Sequence, residues 1–79
     1  GSMHSSWGRG NINTLKRGDV IHYKAADTDP GYGHWVMVIG RSGTTVTLGE
    51  ANRDGRCKIS WGRTLNLATV TSYEIYSAP

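Results

Sequence analysis

The sequence feature that most constrains the fold is a short apolar segment, His34-Trp35-Val36-Met37-Val38-Ile39-Gly40. Apolar residues occupy both alternating sets of positions, so the segment predicts a β-strand that is covered on both faces. Arg41-Ser42-Gly43 follows as a predicted three-residue hairpin loop, with glycine at the end, where a left-handed residue is needed. Thr44–Leu48 then alternates polar and apolar residues, which predicts the second strand of a hairpin.

The rest of the chain favours short strands separated by glycine turns. Three further strands are predicted, over Val20–Lys24, Cys57–Trp61 and Val70–Tyr76. Thr64–Ala68 fits either a short helical turn or a bend, and no long helical pattern is present. The sequence therefore predicts an all-β fold, a small antiparallel curled sheet or barrel of about five strands.

Length and composition allow a single small domain. The chain has 79 residues, and a chain of this size buries only ~60% of the surface that its unfolded form exposes. Residues 1–14 are predicted to be a cloning remnant and an irregular lead-in, and residues 15–79 one β-barrel domain. The net charge of +3 fits an anionic partner, such as a cell-wall polymer or nucleic acid, and also fits a solvated basic surface.

Other chemistry is restricted by what the sequence lacks. No segment approaches the ~18 consecutive apolar residues of a membrane span. The histidines at positions 4, 22 and 34 lack metal-ligand spacing, so neither a metal nor a cofactor is predicted. Asp27 and Asp29, before Pro30, fit turn chemistry or a calcium-binding loop. A single cysteine, Cys57, excludes an internal disulfide.

The predicted hairpin brings polar residues together at one end. Counting outward from a loop at Arg41–Gly43 places His34 opposite Glu50, with Asn52 at the same parity. A carboxylate beside an imidazole fixes its tautomer and favours its charged form. Such a histidine can take a proton from a thiol or hydroxyl nucleophile. The same pattern also fits a cross-strand polar pair at the end of a sheet, so both interpretations stay open.

Three motifs in this order resemble the second half of a CHAP domain, a cysteine- and histidine-dependent amidohydrolase/peptidase related to the NlpC-type peptidoglycan peptidases. They are a Lys-x-Gly-Asp opening within Leu15–Ile21, a Gly-His before an apolar strand within Gly33–Ile39, and a Glu-x-Asn ending Thr45–Asn52. Lys58–Arg63 resembles the next strand of some bacterial members. The resemblance covers about residues 15–77.

The resemblance implies the β half of a papain-like α+β fold, with His34 as general base and Glu50 or Asn52 as its orienting partner. A cysteine thiolate would attack an amide in cell-wall peptides, outside a bacterial cell or at its surface. The family's cysteine lies upstream of the histidine, on a helix, where a helix N-terminus lowers the thiol pKa. Here no cysteine precedes His34, and Cys57 follows it as either a small apolar residue or an unusual nucleophile. We therefore expect an inactive chain unless a helical half, or a second copy, completes the site.

A non-catalytic function is the alternative. SH3-like modules bind peptides or cell-wall polymers through aromatic clefts, and Tyr32 and Trp35 flank His34 in the sequence. These two residues are the predicted binding residues, with cell-wall peptide or polymer as partner and no nucleic acid. Because the chain contains no phenylalanine, many of its aromatic rings are also expected to build the core.

Overall fold

The computed structural model describes residues 7–51 and 59–79, and within them the chain is all-β. Six antiparallel strands form one curled, open sheet in the order β1-β6-β2-β3-β4-β5. The strands are β1 (Gly8–Gly10), β2 (Val20–Lys24), β3 (His34–Ser42), β4 (Thr45–Ala51), β5 (Ile59–Asn66) and β6 (Ser72–Ser77). The predicted fold class is confirmed.

Period-two alternation builds the core on one face of the sheet, which we call the inner face. In β3, Val36 and Val38 are buried, while their neighbours Trp35 and Met37 are exposed on the outer face, so the prediction that this strand is covered on both faces is wrong. The buried apolar residues of the described chain are Ile21, Tyr23, Val36, Val38, Val46, Leu48, Leu67 and Ile75. The sheet therefore covers its own inner face by curling, with Leu67 packing into the core beyond the end of β5.

The predicted hairpin exists, but its predicted loop and register are wrong. Ser42 pairs with Thr45, so the loop is a two-residue turn of Gly43 and Thr44. A β-bulge interrupts the ladder between Val38 and Gly40, and Val38 lies opposite Leu48 instead of the expected Val46. A bulge adds one residue to one strand, which counting from the turn does not reveal. The net error is two residues, so the same side chains still face the core.

The ends of the sheet also differ from prediction. Gly8–Gly10 pairs with β6, and Ile12–Thr14 forms a 3₁₀ turn, so these residues are not an irregular lead-in. The predicted turn or bend over Thr64–Ala68 is wrong in its first half, because β5 continues to Asn66. Leu65 lies opposite Val46 in this extension and packs against the core, which accounts for the longer strand.

Asp19 ties the turn before β2 and the C-terminal residues of the chain to the start of β2. Its fully buried carboxylate accepts hydrogen bonds from the backbone N–H groups of Lys16 (3.0 Å) and Ala78 (3.1 Å) and from Lys16 Nζ (3.0 Å). Burial alone would raise the pKa of Asp19, but these hydrogen bonds outweigh it and leave the pKa below its usual value. The Lys-x-Gly-Asp motif is thus a structural clasp.

Candidate functional site

His34 and Glu50 meet on the inner face, at the end of the sheet where β3 begins. His34 Nε2 lies 2.8 Å from Glu50 Oε1, and only 11% and 12% of their side-chain surfaces are exposed. The predicted direct opposition is wrong, because Met37 lies opposite Glu50's neighbour Gly49 and His34 is therefore diagonal to Glu50. Both side chains are long enough to span a diagonal pair, and equal parity places them on the same face.

Arg63, which the sequence argument did not assign to the site, holds the carboxylate from the next strand. Its Nε lies 2.6 Å from Glu50 Oε2, and its Nη2 lies 2.9 Å from Glu50 Oε1. These hydrogen bonds from Arg63 lower the pKa of Glu50, against an opposing effect of burial, and the hydrogen bond with His34 adds to the lowering. Glu50 in turn raises the pKa of Arg63. Glu50 is thus an ionised acceptor for two neighbours.

Tyr23 completes the cluster from β2. Arg63 Nη2 also donates to the Tyr23 hydroxyl at 2.8 Å, and Tyr23 is buried among core residues. The ring of Tyr23 meets the His34 imidazole edge to face, with centroids 5.8 Å apart. Glu50 and Tyr23 therefore contact the His34 imidazole on two sides, and Arg63 forms hydrogen bonds with both of them.

A second bulge explains why Arg63 faces inward. Gly49 lies opposite Trp61 and Leu48 lies opposite Arg63, so Gly62 is the extra residue of β5. Gly62 has a φ of 99°, which L side chains rarely adopt. Residues two apart in a regular strand share a face, but here Trp61 lies on the outer face and Arg63 on the inner face. Only this irregularity brings a guanidinium to Glu50.

Gly33 places the first residue of β3 against β2. Its φ is 69°, and an added Cβ would lie 2.6 Å from the carbonyl oxygen of Tyr23 and 2.8 Å from His22 Nε2. Nothing larger than glycine fits there without movement of the backbone. The Gly-His pair of the sequence is therefore a requirement of close packing, and it fixes where His34 enters the sheet.

The predicted binding residues do not share a cleft with His34. Trp35 lies on the outer face, where its ring stacks on His22 with centroids 4.5 Å apart and tilts against Tyr76 at 5.6 Å. Tyr32 is 82% exposed in the preceding loop, which Asp29 organises by accepting backbone hydrogen bonds from Gly31 and Tyr32. That geometry is a turn, one of the two alternatives open for Asp29.

An apolar groove of about 280 Å³ lies beside Trp35 on the outer face. The Trp61 ring packs closely against Gly49 at one side of the groove, and Met37 is part of the lining. Trp35, Met37, Ile59 and Trp61 each expose 44% or more of their surface. Large exposed apolar side chains that adjoin one another are typical of interaction surfaces.

Two residues considered from the sequence, Asn52 and Cys57, lie outside the described residues. Within residues 7–51 and 59–79, no cluster of three or more His, Cys, Asp or Glu side chains could hold a metal. The same ranges contain no helix of the length and apolarity that crossing a membrane requires. The chain matches no protein-family model, and comparisons with curated proteins and with solved structures gave no match. The resemblance to CHAP domains therefore stays a prediction.

Proposed function

We propose that this chain supplies the general base and its orienting carboxylate to a cysteine-dependent amidase or peptidase that acts on cell-wall peptides. The observation that carries the proposal is the 2.8 Å contact between His34 Nε2 and Glu50 Oε1 on the inner face. The attacking thiol would come from Cys57 or from a helical half outside this chain. The proposal rests on the site geometry and on the motif resemblance.

The contact with Glu50 assigns different tasks to the two ring nitrogens. An ionised carboxylate accepts a hydrogen bond, so neutral His34 donates its Nε2–H to Glu50 and carries a lone pair on Nδ1. Within the described part of the chain, no hydrogen bond engages Nδ1. Nδ1 is then the atom that takes the thiol proton, and the resulting imidazolium stays paired with Glu50 until it protonates the leaving amine.

We expect His34 to accelerate attack by an added thiol on an activated ester. The purified chain would be mixed with cysteamine and p-nitrophenyl acetate, and the thiol-dependent release of p-nitrophenolate recorded. A positioned base contributes 10²–10⁴-fold in enzymes, so with a freely diffusing thiol we expect an enhancement of about tenfold. His34→Gln should abolish it.

His22→Gln is the matched control, since His22 also lies near a carboxylate, Glu74 Oε1 at 3.3 Å, but on the outer face. This variant should keep the full rate. Equal rates for His34→Gln and the parent chain, with circular dichroism unchanged, would refute the role of His34. Cleavage of purified cell-wall peptides without added thiol, lost in Cys57→Ser, would identify Cys57 as the nucleophile.

The outer-face groove favours a second candidate, binding of a cell-wall polymer without catalysis. Aromatic faces such as Trp35 and Trp61 suit the apolar faces of sugar rings or peptide side chains, and both are exposed beside the groove. This candidate needs no nucleophile.

Co-sedimentation with purified cell wall tests it. Trp61→Ala should reduce the bound fraction several-fold, because Trp61 is 62% exposed and lines the groove. Tyr73→Ala is the control, an aromatic residue of 38% exposure outside the groove lining. Equal binding by both variants would exclude the groove as the binding surface.

A further inference from the structure

We infer that Arg63 is a positioning residue that sets the proton affinity of His34 by acting through Glu50. The inference rests on the proposed function, in which His34 is a base. The side chains involved lie on four neighbouring strands and are held together by hydrogen bonds or ring contact. They are Tyr23 on β2, His34 on β3, Glu50 on β4 and Arg63 on β5.

The guanidinium first restricts where the carboxylate can point. Arg63 donates to both oxygens of Glu50, at 2.6 Å and 2.9 Å, and Glu50 Oε1 is also the oxygen that contacts His34. Rotation of the carboxylate would break two charge-assisted hydrogen bonds at once. A lysine ammonium cannot reproduce this planar fork, so the restriction requires arginine.

Arg63 also partly neutralises the negative charge of the Glu50 carboxylate beside His34. A lone carboxylate at hydrogen-bond distance favours the imidazolium, which has no lone pair to accept a proton. Here the same carboxylate is already paired with a guanidinium, so its attraction for a proton on His34 is partly cancelled. Arg63 thereby favours the neutral imidazole, the form that a general base needs near neutral pH.

Tyr23 keeps the guanidinium in this arrangement. Its hydroxyl accepts from Arg63 Nη2 at 2.8 Å, and its ring edge faces His34. Among the described residues, the titratable or charged groups that face His34 from the neighbouring strands are thus Tyr23 on β2, Glu50 on β4 and, through Glu50, Arg63 on β5. Removing Arg63 leaves the carboxylate uncompensated beside the imidazole.

The test is an NMR titration of the His34 ring protons in the full chain, which requires no catalysis. In the Arg63→Gln variant, the His34 imidazole should bind its proton about tenfold more tightly, which raises the titration midpoint by about one pH unit. Arg63→Lys should keep most of the parent midpoint but lose the thiol-dependent rate, since charge is retained and the fork is lost. Arg41→Gln is the control, because Arg41 donates to the Gly43 carbonyl at the opposite end of β3.

A double variant shows whether the effect passes through Glu50. In a Glu50→Gln background, Arg63→Gln should leave the His34 midpoint nearly unchanged. An unchanged midpoint in the folded Arg63→Gln single variant would overturn the inference. If that variant fails to fold, the double variant decides: a His34 midpoint that Arg63→Gln still raises by about one pH unit in the Glu50→Gln background would overturn the inference. A shifted midpoint without any thiol-dependent rate in the parent chain would instead refute only the proposed function.

Discussion

Gly33→Ala should destabilise the domain by about 3 kcal/mol or more, and with it the geometry around His34. An L residue at a φ of 69° costs roughly 1–2 kcal/mol. The new methyl would also lie 2.6 Å from the carbonyl oxygen of Tyr23, which belongs to the backbone of β2 and cannot rotate away. A domain of this size has only a few kcal/mol of stability, so we expect a large unfolded fraction at 25 °C.

Urea denaturation followed by tryptophan fluorescence measures the effect. Gly43→Ala is the matched control, since Gly43 has nearly the same φ, 61°, and its added Cβ would meet no atom within 4 Å. That variant should lose only about 1 kcal/mol, because it carries the conformational cost alone. Equal losses in the free energy of unfolding for Gly33→Ala and Gly43→Ala would contradict a tight contact between Gly33 and β2.

Asp19→Asn should destabilise the domain by about 2–3 kcal/mol, the range for disrupting hydrogen bonds to a buried charged group. Three donors converge on the carboxylate, and two of them are backbone N–H groups, one in the turn before β2 and one just after β6. An amide can accept through one atom only, so at least one buried donor loses its partner. Lys16→Met is the control, since it removes one half-exposed amine and should cost less than 1 kcal/mol.

The same carboxylate makes stability depend on pH. Its folded pKa lies below the unfolded value of ~3.9. The contribution is therefore fully present above the unfolded pKa and is lost as the pH falls through the folded pKa. Urea midpoints measured between pH 7 and pH 2 should fall less steeply for Asp19→Asn than for the parent chain. Parallel curves for the two proteins would contradict the clasp.

Alternation alone places His34 and Glu50 together. Both residues share parity with buried valines and leucine on adjacent strands, so any register that buries those residues brings the imidazole and the carboxylate to one face. The different turn shifts the pairing by three residues and the bulge after Val38 shifts it back by one, so the net error of two leaves the parity unchanged. The predicted contact therefore survived a wrong loop and a wrong pairing.

The position of Arg63, in contrast, does not follow from the alternation of residues along the strand. Trp61 and Arg63 have equal parity in the sequence, so a regular strand would put both on the same side of the sheet. The bulge at Gly62 separates them, and that bulge depends on how β5 pairs with β4. A glycine inside a strand often marks a bulge, but the sequence predicts that this strand ends at Trp61, so Gly62 falls outside it and the bulge is not predicted.

The sequence by itself thus determined the all-β class, which residues of the central hairpin share a face and the partner of His34, because strand periodicity is a local property. The tertiary structure alone decided the cluster around that pair, the outer-face groove and the pairing of β1. Those features come from bulges and from contacts between strands far apart in the chain, whose geometry depends on the whole sheet.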